Sequence, residues 1–533
     1  MDPSARVVII GDRHGRSWQP NTETSADAIA TQLCAHQWGR YVALFRPANG
    51  PISAVFRDPS GGQDAVAWRK GPLTLVASDL LDALDDFGPD DLAINWDVLG
   101  AGLVERLHLV GSVPLVGVTS TTPGALRHLT GRQDEMLIWR PEVFAGRAWR
   151  DTPQARGDLV EAIDGAVSAL TGVGGGVLAE ISGGLDSSIV ASAMRRTHPD
   201  KVRAWVNFHV ADASGDERQY ARATARLLGV DLVEALKADA SVDLQGLGQG
   251  SRSAQPSFRL VDAAYDQDMA LRCRALDADQ ILSGLGGDTV FMQGGSPWLA
   301  ADLFRERPPW AWRAEDLLTI ARHARTSVWR VARNGFIGSL GGGGGVLARP
   351  VHLTPKAHDA ATRRPTPLWM AAAQGLSPAK RSQVLGLART LQVTGRSIRT
   401  EAADVVNPLL AQPVMEIGLS MSALALTNAG DDRAFAREAF VDRLAPEVRR
   451  RRSKGDLSRH YGMALGRATP QLREFLLEGR LAYAGLLQTE ALDTMLTPEH
   501  LIWSDPYREI IAMVVLELWA RSWADRLSAR RLG

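Results

Sequence analysis

Seven residues, Ser182-Gly183-Gly184-Leu185-Asp186-Ser187-Ser188, stand between an apolar run, GVLAEI, and a helical pattern, SSIVASAMRR. A turn at the carboxyl end of a parallel strand that opens a helix presents backbone N–H groups beside a positive dipole end. That is an anion site. Glycines let the backbone come close to a phosphate, and Ser182, Ser187 and Ser188 add hydroxyl donors. Asp186 is out of place in a phosphate cradle unless a cation lies between, so Mg²⁺ is implied. The spacing is neither the P-loop nor the dinucleotide fingerprint. The simpler alternative is a serine-rich cap after a buried strand.

A second stretch, ILSGLGGDTVF from Ile281 to Phe291, repeats the arrangement: apolar strand, a turn with Gly284, Gly286 and Gly287, then a carboxylate, Asp288. In a doubly wound sheet both turns open on the crevice at the carboxyl ends of the strands, where ligands bind. A third stretch, RRRRSKGDLSRHY from Arg449 to Tyr461, is either a solvated basic helix end or a segment whose Lys454 reaches the phosphates. A point charge aimed there acts most strongly where water is excluded.

The elements that must position these residues follow from periodicity. Up to about residue 150 the chain is strand-rich: RYVALFR, ISAVFRD, LTLVAS and VPLVGVTS are short β-branched runs broken by turns such as RDPSGGQD. The polar stretch Trp149 to Asp158 is the expected boundary, giving domains 1–150 and 151–533. Beyond it, LVEAIDGAVSAL, GVLAEI, VRAWVNFHV, GDERQYARATARLLGV, DLVEAL, VDAAYDQDMALRCRALDA and DQILSGLGGD alternate helix with strand, which predicts a parallel, doubly wound α/β sheet. Asp216 and Glu217 fall in the expected first helical turn of the fourth. After about residue 295 the pattern is helical, in EDLLTIARHARTSVWRVAR, KRSQVLGLARTLQ, DDRAFAREAFVDRLA and EIIAMVVLELWARSWADRL. The glycine run Gly338 to Val346 reads as a surface loop. Topology puts adenine near the second strand of this sheet, with Val206 and Phe208 flanking it. Trp298, Trp310, Trp312, Trp329 and Trp369 are candidates to line a groove, although core packing is the commoner fate of tryptophan. His209, His352, His358 and His460 are candidate general bases.

Composition narrows the class. Lys+Arg and Asp+Glu both number 60, so there is no global electrostatic case for nucleic acid or an acidic membrane. The two cysteines, Cys34 and Cys273, exclude a disulfide framework and an all-thiolate metal site and fit a reducing cytoplasm. The opening MDPSARVVIIGDRHGR does not read as a signal peptide, and no apolar run approaches the roughly 20 residues of a membrane span.

The first turn matches the SGGxDS loop of the N-type ATP pyrophosphatases, and the whole chain resembles class B asparagine synthetase-like proteins. WGRYVALFRPANGPISAVFRDPSG and SVPLVGVTSTTPGALRHLTG are similar to their glutaminase domain; SGGLDSS, GDERQYARATARLLGV, SGLGGD, NPLLAQPVMEI and RRSKGD continue the likeness. The resemblance implies an N-terminal Ntn-type α+β domain, a strand-rich sandwich, followed by an ATP-pyrophosphatase domain with a helical C-terminal half. It implies that Asp288 completes a Mg²⁺ site with Asp186, and that Lys454 stabilises charge as an acyl-adenylate forms and collapses. Glutaminase members use an N-terminal Cys; here position 2 is Asp2 and Cys34 lies inside the chain, so the amine is expected from elsewhere.

β-Lactam synthetases and lasso peptide cyclases share that loss. NPLLAQPVMEIGLSM, Asn407 to Met421, and DDRAFAREAFVDRLAPEVRRRRSKGDLSRH resemble lasso cyclases. β-Lactam synthetases are expected to use a Tyr–Glu dyad, but no tyrosine lies between Tyr265 and Tyr461; Asp404 and Glu401 fall where the dyad's acid would align. The resemblance therefore implies an ATP-dependent, AMP-forming ligase that adenylates an Asp or Glu side chain of a leaderless peptide and closes an isopeptide ring on its N-terminal amine. The expected partners are the core peptide, a leader-binding protein and a leader peptidase, with no nucleic acid or membrane insertion. The alternatives are a β-lactam synthetase-type or ammonia-dependent asparagine synthetase-type ligase, and a non-catalytic binding subunit.

Overall fold

In the strand Gln37–Phe45, period-two alternation sends Tyr41, Ala43 and Phe45 to one face and Val42 and Leu44 to the other. Both faces are covered, and that splits the N-terminal third of the chain into layers. These features come from a computed structural model, which describes residues 7–19, 25–47, 50–131, 134–210, 216–237, 252–258, 263–293, 296–341, 350–428, 430–451, 458–503 and 507–532.

The first sheet is antiparallel, in the order β1 (Val7–Gly15), β2 (Gln37–Phe45), β3 (Ala54–Arg57), β7 (Ala125–His128), β8 (Glu135–Leu137). A second antiparallel sheet runs β5 (Leu73–Ala77), β4 (Val66–Lys70), β6 (Val118–Ser120). Val42 and Val55 meet Ala65 and Val76 between the two sheets. On the other face of the first sheet, Tyr41, Ala43 and Phe56 pack with Ile29, Ala30 and Leu33 of the helix Ala26–His36.

The third sheet is wholly parallel. Its order is β11 (Leu232–Leu236), β10 (Val202–His209), β9 (Val177–Glu180), β12 (Gln280–Leu282), β13 (Asp404–Val406). Val177, Ala179 and Ile181 face the helix Leu185–Thr197 through Ile189 and Val190. Leu178, Val206 and Ile281 face Met269 and Cys273 on the helix Ala263–Ala275. Helices thus cover both faces, as the continuous apolar runs of the strands require. The chain moves outward from β9 to β11 and then returns to the far side of β9, so the strand order reverses between β9 and β12.

Several elements depart from the sequence expectation. β1, β4, β7, β8 and β13 were not expected. The long helix expected over EDLLTIARHARTSVWRVAR is two, Ala314–His323 and Val328–Ser339, separated at Arg325, whose φ is 47°. Asp216 and Glu217 precede their helix: Glu217 caps Arg218–Leu228, and Asp216 pairs with Arg218 at 2.7 Å, which holds its carboxyl down at about 2.

The expected boundary is a backbone junction. The Trp149 N–H donates to the Ser420 carbonyl at 2.7 Å, and the Ser422 N–H returns to Trp149 at 2.9 Å. Packing also crosses it. Trp519 and Trp523, fully buried on the C-terminal helix Tyr507–Leu532, share a core with Val66, Trp68 and Leu80 of the N-terminal third. Each such side chain contributes on the order of 1.5–3 kcal/mol relative to exposure, so the two halves stabilise one another. Among the described residues no helix is long and apolar enough to cross a membrane.

Candidate active site

The two glycine turns follow β9 and β12, the neighbouring strands between which the order reverses, and so face each other across the switch-point crevice. The first turn opens the helix Leu185–Thr197 with Gly184 at its cap. Gly183 has φ +87°, and a Cβ there would lie 2.6 Å from the Glu217 carbonyl oxygen, so both conformation and space require glycine. Arg451 braces the turn, donating to the Gly183 carbonyl at 3.2 Å and pairing with Glu217. The Ser182 and Ser187 hydroxyls are 2.9 Å apart; Ser187 Oγ accepts from the Ser182 N–H, and Ser182 Oγ from the Gly184 N–H. Ser188, also expected to donate to phosphate, is buried, donates to the Gly184 carbonyl at 2.8 Å and meets Thr224 Oγ1 at 2.9 Å.

The second turn packs on the first. A Cβ on Gly284 would lie 2.6 Å from the Ser187 amide nitrogen, and one on Gly287 would lie 2.4 Å from Asp186 Cγ. Gly286, at φ +101°, sits over Leu410. These glycines let two turns and their carboxylates approach closely. The Asn407 to Gln412 segment, read above as a specificity signal, makes internal contacts: Asn407 Oδ1 accepts from Ser283 Oγ at 2.7 Å, Leu410 floors the second turn, and Gln412 donates to the Cys34 carbonyl at 3.0 Å.

Asp186 and Asp288 converge on one atom. Arg433 Nη1 lies 2.7 Å from Asp186 Oδ2 and 2.5 Å from Asp288 Oδ1. The rest of the guanidinium is held by Asp432, 3.0 Å from Nη2, which Arg437 holds in turn at 2.7 Å. Burial disfavours the charged guanidinium, but Asp186, Asp288 and Asp432 outweigh it and raise its pKa. Two carboxylates aimed at one buried cation are a hard-oxygen donor set that suits Mg²⁺, which typically takes one or two carboxylates and completes its shell from water and substrate phosphate. Among the described residues no group of three or more His, Cys, Asp or Glu could hold a metal alone, so further ligands would have to come from outside those side chains.

The remaining candidates scatter. Asp404 stands at the amino end of β13, level with Gln280 and Val177, and is gripped by both Arg40 Nη atoms at 2.6 Å. It is a tie to the N-terminal sheet, at the end of the strand opposite the crevice, and not a crevice acid. Glu401 is exposed and pairs with Arg396 at 3.1 Å. Val206 is fully buried in the sheet core, and Phe208 lies at the carboxyl end, edge-on to Tyr265 at 4.6 Å. Lys454 and the side chain of His460 lie outside the described residues. His209 ends β10 at the crevice, whereas His352 and His358 belong to the region packed on the C-terminal helices. Trp369 is fully buried and donates to the Pro123 carbonyl at 3.1 Å; Trp310 and Trp329 are exposed, Trp312 packs on Phe304, and Trp298 is half-buried.

Sequence reasoning missed Arg433, which nothing in GDDRAFAREAF distinguishes from its neighbouring basic residues. It also missed a buried network at the end of β9: the Tyr265 hydroxyl donates to Glu180, Arg399 donates to Tyr265 at 3.0 Å, and Arg399 pairs with buried Asp266 at 3.1 Å. A tyrosine 85 residues along the chain from its glutamate carries no local signal.

Fold and site together define a parallel α/β domain, with two glycine turns and a pair of converging carboxylates, joined to an antiparallel N-terminal module. Residues 158–521 match the family model described as asparagine synthase, and the chain belongs to that family. Its members are ATP-dependent, amide-forming ligases. A comparison with curated proteins finds no match.

Proposed function

We propose that this ligase is a lasso peptide cyclase. ATP would lie with its phosphates on the 182–187 turn, where Asp186 and Asp288 would hold a Mg²⁺ ion that would neutralise phosphate charge. The side-chain carboxylate of an Asp or Glu in a leaderless peptide attacks the α-phosphorus, and pyrophosphate leaves. The peptide's N-terminal amine then attacks the acyl carbon; AMP leaves and an isopeptide ring closes. Holding amine and acyl group in one folded peptide replaces a bimolecular encounter by a local one. Lys454 stabilises charge in both steps. A leader-binding protein and a leader peptidase in the cytoplasm supply the trimmed peptide.

The observation that carries the finer reading is the state of the thiols. Cys34 is buried on the helix Ala26–His36, and burial, then Glu416 and Asp58, push its thiol up. Cys273 is buried too and pushed up to about 11, first by burial. Neither is poised to release ammonia from glutamine, which favours an amine already present in the substrate. The likeness of the 407–421 and 431–460 segments to lasso cyclases supports a peptide as that substrate.

The test is incubation of the chain with ATP, Mg²⁺ and a leaderless core peptide. Loss of one water from the peptide, with one AMP released per ring, supports the proposal. AMP formation with a free amino acid or ammonia, and none with the peptide, moves the chain to the β-lactam synthetase-type or ammonia-dependent alternative. Absence of ATP–pyrophosphate exchange with every substrate leaves a binding subunit.

A further inference from the structure

Arg433 makes a contact that the ligase chemistry does not ask of it. Its side chain is 4% exposed, and its Nη1 sits between the two carboxylates that would hold the metal. Its backbone is in the left-handed region, φ 49°, ψ 38°, uncommon for a side chain of this size. It caps the helix Ala434–Ala439, and Asp432, itself held by Arg437, fixes the other edge of the guanidinium. The fork is thus aimed: one edge tethered, the other presented to Asp186 and Asp288. Asp186 is buried and Asp288 part-exposed; bringing two carboxylates this close is unfavourable unless a cation stands between them or one takes up a proton, and the guanidinium supplies the cation.

We infer that Arg433 is a resident counter-cation of this pair, holding the two turns in register and competing with the divalent ion for Asp186 Oδ2 and Asp288 Oδ1. The inference rests on the assignment of Asp186 and Asp288 as metal ligands. A cation that binds those oxygens must displace Nη1, so the apparent metal affinity of the free chain is reduced by the strength of the internal ion pair. Nucleotide that brings its own Mg²⁺ and phosphate charge is then favoured over the bare ion. Arg433 is a positioning residue in this scheme.

The test uses the full chain, Mn²⁺ as probe and no nucleotide, with free Mn²⁺ followed by electron paramagnetic resonance and melting followed by circular dichroism. Arg433→Gln should bind Mn²⁺ at least about tenfold more tightly than the wild type, melt lower without metal, and gain more in Tm from Mn²⁺, because ligands binding the native state stabilise it by mass action. Arg433→Lys keeps one charge but not the fork; it should shift affinity in the same direction by a smaller factor, and it serves if the glutamine variant does not fold. Asp186→Asn is the control. If Mn²⁺ binding depends on Asp186 but is unchanged or weaker in the Arg433 variants, the counter-cation role is overturned while the metal site stands. If Mn²⁺ binding is indifferent to Asp186, the metal assignment fails and takes the inference with it.

Discussion

Gly287 and Asp186 touch across the two turns: a Cβ on Gly287 would come within 2.4 Å of Asp186 Cγ. The second turn is therefore the wall against which the first turn's carboxylate is set. Gly287→Ala must push Asp186 aside. The expected outcome is a folded protein whose ATP–pyrophosphate exchange falls by about 10²-fold, the scale of a misplacement near 1 Å. Wild-type exchange in this variant would refute the contact's role.

Asp186→Asn and Asp288→Asn keep shape and remove charge. Each should reduce AMP release to background while leaving the circular dichroism spectrum unchanged. Normal turnover in both would overturn the placement of ATP on these turns.

Asp404→Asn addresses a residue that the structure moves out of the chemistry. Its bidentate pairing with Arg40 ties an edge strand to the N-terminal sheet, and Asp404 is 45% exposed. The substitution should lower stability by about 1 kcal/mol or less in a urea titration, after screening is allowed for, with kcat within about twofold of wild type. A large loss of kcat at unchanged stability would restore a catalytic role.

Cys34→Ala should be silent in peptide turnover, and iodoacetamide should leave the native chain unmodified at Cys34. The thiol is buried and held largely protonated by its surroundings. Inactivation by either route would revive thiol chemistry.

Lys380 provides a pH test of packing. It is buried, donates to the Met421 carbonyl at 2.8 Å and to Gln383, and faces Asp302 and Glu306; burial, opposed by those two carboxyls, brings it down from 10.5 to about 7. Between about pH 7 and 10.5 the unfolded chain binds the extra proton, so this group makes stability rise with pH across that window. Below it both states are protonated and the full burial penalty remains. Tm of the wild type should climb from pH 6.5 to 9 relative to Lys380→Met; parallel profiles would show that Lys380 is not the source.

Local pattern carried much of the domain. The GVLAEI and VRAWVNFHV runs are buried strands because their β-branched and apolar residues fill both faces of a parallel sheet, and the SGGLDSS turn announces itself because glycines, hydroxyls and a carboxylate at that spacing have few other uses. Short strands such as β13 escaped notice, since three residues carry no measurable period. The split at Arg325 was equally silent, because an arginine gives no local sign that its backbone will turn left-handed.

By itself, then, the order of residues determined that runs such as GVLAEI and VRAWVNFHV are strands, which turns are rich enough in glycine to approach a phosphate, and which family the chain joins. Those properties depend on neighbours within a few positions. Tertiary structure alone decided that Asp404 serves Arg40, that Ser188 serves Thr224, and that Arg433 closes the gap between Asp186 and Asp288. Each of these joins residues far apart in the chain, and a charge has no preference among distant partners until packing brings one of them within about 3 Å and removes the water between them.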